Sequence, residues 1–181
     1  MIEAALKAQE DMGHLFEEVR QYAAPVQLHF QMIDVGQLID ETWDLLTLTR
    51  KGRDVRLLQP DTDLNLECEI DRFHIRNAIR NILENSLAAC DDPVEIDIDF
   101  SEVQDTNRRF LRIAIRDNGP GFTPDQAKKV FDAFYTTKTH GTGLGLSITK
   151  RLVERHGGQV KLGSDYHNGA EIVLTLPRSQ P

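Results

Sequence analysis

Two asparagines four residues apart, Asn81 and Asn85, are of a type and spacing that could do chemistry. They lie in the run Arg80-Asn81-Ile82-Leu83-Glu84-Asn85-Ser86, which has a helical pattern, so both amides point to the same side. Amides beside an apolar stripe lower helix propensity, and a pair of solvated amides is an ordinary finding. The chemical alternative is an amide oxygen on a hard cation. Mg²⁺ prefers oxygen ligands and keeps waters when it bridges phosphates, so one protein ligand suffices. A second group is Asp117-Asn118-Gly119-Pro120-Gly121, which follows an apolar alternation. It reads as a plain turn, or as a carboxylate accepting a hydrogen bond from an exocyclic amine in a closed pocket. Such a bond contributes roughly 1.5–3 kcal/mol, and a ligand without the amine leaves the carboxylate unpaired. The third group is Gly141-Thr142-Gly143-Leu144-Gly145-Leu146, directly before a predicted helix. Alternating glycines let a backbone come close to a ligand, and the unpaired N–H groups of a helix start suit phosphate oxygens. Glycine clusters also mark ordinary turns. This one lacks the Gly-Lys-Ser/Thr of a P-loop. It departs from the dinucleotide fingerprint because Gly145 comes one residue early and no strand precedes it.

These groups need a scaffold, and the apolar periodicity predicts one. Ala5, Met12 and Val19, with Ala8, Leu15 and Tyr22, form an a/d stripe on a helix that Pro25 stops. That helix either packs on its own domain or forms half of a helical hairpin or dimerising coil. Val35, Leu38, Ile39, Trp43 and Leu46 mark a second helix. Residues 51–58 and 63–70 read as strands, the latter from Leu64, Leu66, Cys68 and Ile70 alternating with polar residues. A helix from Asp71 to about Cys90 has Phe73, Ile75, Ala78, Ile79, Ile82, Leu83 and Leu87 on its apolar face. Val94, Ile96, Ile98 and Phe100, then Leu111, Ile113 and Ile115, predict a hairpin across the polar loop 104–109. A short helix from Pro124 to Lys129, an aromatic patch (Phe131, Phe134, Tyr135) and a helix from about Leu144 to His156 follow. Gly157-Gly158 ends that last helix, and two strands close the chain. The class is α+β: a two-layer sandwich, a mixed sheet covered on one face by helices, with the N-terminal helix a separate element. The expected organisation is a helix over 1–24, a connector over 25–34 and one domain over 35–181.

Composition narrows the function classes. The 181 residues suit one globular domain, and 40% hydrophobic with 28% charged residues supports a packed core. A net charge of −8 argues against a protein that coats nucleic acid, while leaving room for a local phosphate pocket. No apolar run approaches a membrane span, and the charged start is unlike a signal peptide. Cys68 and Cys90 are too few and too isolated for a disulfide framework or a zinc site, so a reducing, cytoplasmic setting is expected.

The groups also fall into one order. Arg80-Asn81-Ile-Leu-Glu84-Asn85-Ser, Asp117-Asn-Gly-Pro-Gly121, Phe131-Asp-Ala-Phe-Tyr-Thr-Thr-Lys138 and Gly141-Thr-Gly-Leu-Gly-Leu-Ser resemble the N box, first glycine box, F box and second glycine box of sensor histidine kinase ATP-binding domains, in the GHKL superfamily. Lys150-Arg-Leu-Val-Glu-Arg-His-Gly-Gly resembles the helix that follows. The likeness runs from about residue 35 to 177, and the Phe-Tyr-Thr-Thr-Lys segment is most similar to the short-lid nitrogen-regulator and dicarboxylate-sensor kinases. The resemblance implies ATP and Mg²⁺ as cofactors. Asn81 and Asn85 would face the nucleotide, with Asn85 holding the metal, and Asp117 would bind the adenine amino group beside Gly119 and Gly121. Gly141, Thr142, Gly143, Leu144 and Gly145 would cradle the phosphates. Thr136, Thr137 and Lys138 would form the lid, with Lys138 either at the terminal phosphate or a solvated loop lysine. His140 reads as a solvated loop residue. Glu84 would polarise an acceptor histidine, or is a surface helix glutamate.

The implied activity is transfer of the ATP γ-phosphate to a histidine, for relay to a response regulator receiver domain. Phosphoryl transfer is mostly positioning and charge stabilisation. Hydrolytic relatives place Glu where this chain has Asn81, and an amide cannot take a proton from water, which favours a kinase over a vigorous ATPase. Two departures stand out. No His-Glu/Asp-x-x-x-Pro acceptor motif is present, and His14 is not proposed as its substitute. Residues 1–24 resemble the second hairpin helix, so the implied partners are an upstream dimerisation and phosphoacceptor domain, in a homodimeric parent, and no direct membrane contact from this stretch. The family's Gly-Thr-x-Phe is Gly169-Ala-Glu-Ile172 here, so Ala170 supplies no hydroxyl near the adenine. The alternatives are a degenerate nucleotide-binding or docking module, or a GHKL serine kinase or ATPase.

Overall fold

Period-two alternation in the strands and period-3.6 stripes in the helices leave each element with one apolar face, and the fold joins those faces. The computed structural model describes residues 27–105, 108–138, 141–163 and 169–180, with Met12, Gly13, Phe16, Val19 and Arg20. The elements are β1 (Gln31–Asp34), α1 (Val35–Leu45), β2 (Val55–Leu58), β3 (Glu67–Ile70), α2 (Arg72–Ala89), β4 (Val94–Asp105), β5 (Arg108–Asp117), α3 (Pro124–Ala127), α4 (Gly145–Arg155), β6 (Gln159–Leu162) and β7 (Glu171–Pro177). Five strands make a mixed sheet in the order β2-β4-β5-β7-β6, in which only β2 and β4 run parallel.

Register explains the layering. Ile98 pairs with Ile115, Ile115 with Ile172 and Ile172 with Leu162, and the next row is Phe100, Ile113, Leu174 and Val160. These rows face the helices and form the core with Leu38 and Ile39 of α1, Ile75, Ile79, Ile82 and Leu83 of α2, and Ile148 and Leu152 of α4. The opposite face is polar: Arg112 lies 3.1 Å from Glu171 and 3.5 Å from Asp99. The α+β two-layer expectation therefore holds.

Several expectations need correction. The stretch expected as a connector, 25–34, contains strand β1, which pairs antiparallel with β3 in a second, two-stranded sheet. The strand expected over 63–70 is paired only from Glu67, because the Asn65 side chain turns on the Glu67 N–H (2.8 Å) and the Arg178 guanidinium takes the Asn65 carbonyl. The strand expected over 51–58 starts at Val55, after a turn in which Gly52 has φ +80°. The hairpin ladder extends to Asp105↔Arg108, so the polar loop is shorter than expected. Phe73 is 55% exposed, outside the core. Met12 and Val19 are helical and exposed, whereas Ala5, Ala8, His14, Leu15, Tyr22, Pro25 and His140 lie outside the described residues.

Candidate functional site

The helix α2 presents the amides, and its two ends are fastened. At its start, Asp71 caps the helix: its Oδ1 accepts from the His74 N–H (3.0 Å) and its Oδ2 from the His29 N–H (2.8 Å). Burial alone would raise the Asp71 pKa, but these backbone donors and His74 outweigh it and hold the carboxyl below its usual value. At the other end, the Arg53 guanidinium donates to the carbonyls of Leu87 (2.5 Å) and Cys90 (2.8 Å), two groups that have no partner within the helix.

Between those ends, Asn81 and Asn85 face the second glycine segment. Asn81 Nδ2 donates to the Gly145 carbonyl at 3.1 Å, tying α2 to the start of α4. Asn85 Oδ1 accepts from the Lys138 ammonium at 3.0 Å. Burial lowers the Lys138 pKa, against the opposing pull of the Asp117 carboxylate. Asn85 thus offers its amide oxygen to a positive charge already, and the same hard donor fits a divalent cation. Glu84 shares this wall and lies 3.7 Å from the Arg80 guanidinium across one helical turn.

Asp117 ends β5 and is buried, at 6% exposure. Its Oδ1 accepts from the N–H groups of Gly119 and Ala170, both at 3.0 Å, and its Oδ2 from the Ser86 hydroxyl at 2.7 Å. The Cys90 thiol lies against the same carboxylate. Burial first, and then the Asp117 charge, push its pKa up to about 12, so it remains a neutral thiol. Asn118 splices the turn onto β4, accepting from the Glu95 N–H (3.0 Å) and donating to the Pro93 carbonyl (2.8 Å).

The glycine segment is folded by the aromatic patch. Phe134 N–H donates to the Gly143 carbonyl at 3.0 Å, and Phe134 itself has φ 66°. Gly143 has φ +71°, and a Cβ there would come within 2.5 Å of the Phe134 backbone and 2.7 Å of Tyr135. Glycine is thus needed at 143 for contact between two protein segments, whereas the sequence suggested ligand approach. Helix α4 starts at Leu144 with no side-chain cap, which leaves its first N–H groups without an intrahelical partner.

One cavity of about 970 Å³ gathers these groups. Asn81, Glu84, Asn85, Asp117, Gly121, Thr136, Thr137, Lys138, Gly141, Thr142, Gly143 and Gly145 all line it. Gly119 and Leu144 do not. A Cβ on Gly119 would meet Cys90 Sγ at 2.9 Å and Asp117 Oδ1 at 3.0 Å, so Gly119 acts behind the carboxylate. Leu144 is fully buried in the core. Sequence reasoning missed Ser86, Ala89, Phe122, Val130, Leu146 and Ile172 on the walls. Only Ser86 carried a usable signal: a small polar residue beside Asn85 on a helix whose neighbours are apolar.

An amide-bearing helix, a buried carboxylate and an uncapped helix start around one cleft suit a purine triphosphate. Residues 70–180 match the family described as histidine kinase-, DNA gyrase B-, and HSP90-like ATPase. The chain belongs to this family. Its relatives include the sensor histidine kinase ZraS of Escherichia coli (strain K12), 27% identical over 94% of this chain and 36% of the relative. The chain therefore spans about a third of the length of such curated relatives. The catalytic domain of the histidine kinase ThkA, solved nucleotide-free, is 27% identical with a TM-score of 0.71, covering 83% of this chain and 97% of that one. Full-length ShkA, solved in complex with AMPPNP, is 25% identical with a TM-score of 0.76, covering 98% of this chain and 38% of that one.

Proposed function

We propose that this chain is the ATP-binding catalytic domain of a two-component sensor histidine kinase, with residues 35–181, together with strand β1 before them, as the catalytic unit. The observation that carries the reading is the single cavity on which Asn81, Asn85, Asp117, the lid residues Thr136–Lys138 and the uncapped start of α4 converge. Its relatives named as sensor histidine kinases support the same assignment.

In this reading Asp117 accepts a hydrogen bond from the adenine amino group, and the N–H groups at the start of α4 bind phosphate oxygens. Asn85 supplies one oxygen to Mg²⁺, which when bound would neutralise phosphate charge during transfer. Lys138, whose ammonium lies 3.0 Å from Asn85 Oδ1, would supply positive charge to the phosphates at the same wall. Asn81 is held to the Gly145 carbonyl and has no proton-accepting carboxylate, so the site positions ATP for an external nucleophile in preference to water. That nucleophile is a histidine imidazole on an upstream phosphoacceptor domain of a homodimeric, cytoplasmically facing parent. Glu84, on the rim beside Asn85, polarises it. The phosphoryl group then passes to a receiver domain. Among the described residues no helix is long and apolar enough to cross a membrane.

The test mixes this chain with its own upstream acceptor helix and labelled ATP. Acid-labile label on a histidine supports the kinase. Nucleotide binding without labelling would reassign the chain as a docking module, and rapid phosphate release without labelling as an ATPase.

A further inference from the structure

Asp117 holds its two oxygens in different ways. Oδ1 accepts two backbone N–H groups, from Gly119 and Ala170 at 3.0 Å each, which fills its two acceptor directions. Oδ2 is held by a side chain, the Ser86 hydroxyl at 2.7 Å, and Ser86 is itself buried at 4% exposure on the cavity wall. A serine hydroxyl ordinarily offers one donor and two acceptor positions, so it can greet either an amine or a carbonyl. Here its one proton is committed to Asp117, and its remaining lone pairs can only accept. The Ser86–Asp117 pair therefore presents an accepting surface. An exocyclic amine meets acceptors there, whereas an oxo group at the same ring position meets their lone pairs and brings no donor to the remaining acceptor direction of Asp117 Oδ2. On the strand side Ala170 carries no hydroxyl, so helix α2 supplies it.

We propose that Ser86 is the specificity-positioning residue for the purine: by giving its proton to Asp117 it fixes the carboxylate and selects a 6-amino purine over a 6-oxo purine. The inference rests on the reading of Asp117 as the contact for the adenine amino group.

The test measures dissociation constants of the whole chain for ATP and inosine triphosphate, which differ at that ring position, by calorimetry with Mg²⁺. The proteins are wild type, Ser86→Ala, Ser86→Thr and Asp117→Ala. Wild type prefers ATP; Ser86→Ala narrows the ATP-to-ITP ratio roughly tenfold, and Ser86→Thr, which keeps the hydroxyl, restores it. A merely structural serine would weaken both nucleotides in parallel and lower the nucleotide-free melting temperature with the ratio unmoved. An unchanged ratio in Ser86→Ala overturns the role of Ser86 and leaves the reading of Asp117 standing. No preference in wild type, or a preference that survives Asp117→Ala, overturns the Asp117 reading itself. Should Ser86→Ala not fold, Ser86→Cys keeps the volume with a weaker donor; an intermediate ratio supports the role, and a wild-type ratio overturns it.

Discussion

At the scale of single residues, the proposed reading gives the amide of Asn85 and the carboxylate of Asp117 opposite ends of the nucleotide to hold. Replacing Asn85 by Ala is expected to abolish metal-dependent binding: the rise in melting temperature with ATP and Mg²⁺ should fall to that with ATP and chelator. An undiminished Mg²⁺ effect would show that the metal is held elsewhere. ATP with Mg²⁺ should likewise raise the wild-type melting temperature more than GTP with Mg²⁺, and equal shifts would remove the argument from Asp117. Away from the site, His156 is fully buried, with Nε2 accepting from the Asp71 N–H (3.0 Å) and Nδ1–H donating to the Leu152 carbonyl (2.7 Å). Burial lowers its pKa, so the folded state favours the neutral ring. Its contribution is full above the unfolded value of about 6.5 and is lost as pH falls from there through the lower folded value. Urea midpoints should decline over that window in wild type, and the decline should shrink in His156→Gln. The candidate residue types were legible before the fold because Asn, Asp and Gly kept a fixed order. The Asn81–Gly145 bond was not, since it depends on how closely α4 approaches α2, which no local pattern encodes.

At the scale of elements, the helix that bears both asparagines is held by groups far away in sequence. Arg53 bonds the carbonyls of Leu87 and Cys90 from 34 and 37 residues away. Arg53→Ala should cost about 1–3 kcal/mol in urea unfolding, because it leaves those carbonyls without their charged donor. Gly143→Ala should destabilise too, since its Cβ would strike the Phe134 and Tyr135 backbone, and the melting temperature without nucleotide would register it. The long, periodic elements were readable: α2, α4 and the β4–β5 hairpin follow their stripes closely. The short ones were not. Strand β1 is four residues of Gln-Met-Ile-Asp whose first half is exposed, so no alternation announces it. Leu64 and Leu66 continue the alternation of β3 although the backbone there is already bound by Asn65 and Arg178.

For the whole molecule, two layers and a mixed sheet followed from the pattern of apolar faces, and the cleft lies where α2, the end of β5 and the start of α4 meet. Removing residues 1–24 should leave the ATP-dependent melting shift intact, as the cavity is lined wholly by residues from Asn81 onward. Loss of the shift would mean that the nucleotide site depends on that segment. The strand that stands where a connector was expected has a mechanical consequence. His29 is bonded to the cap of α2, and residues 31–34 are laced to β3, so the path from residue 29 to the first turn of the asparagine helix is a continuous strut. A torque applied at residue 29 would reach the N-terminal root of α2 first, and would reach the cleft only through that helix.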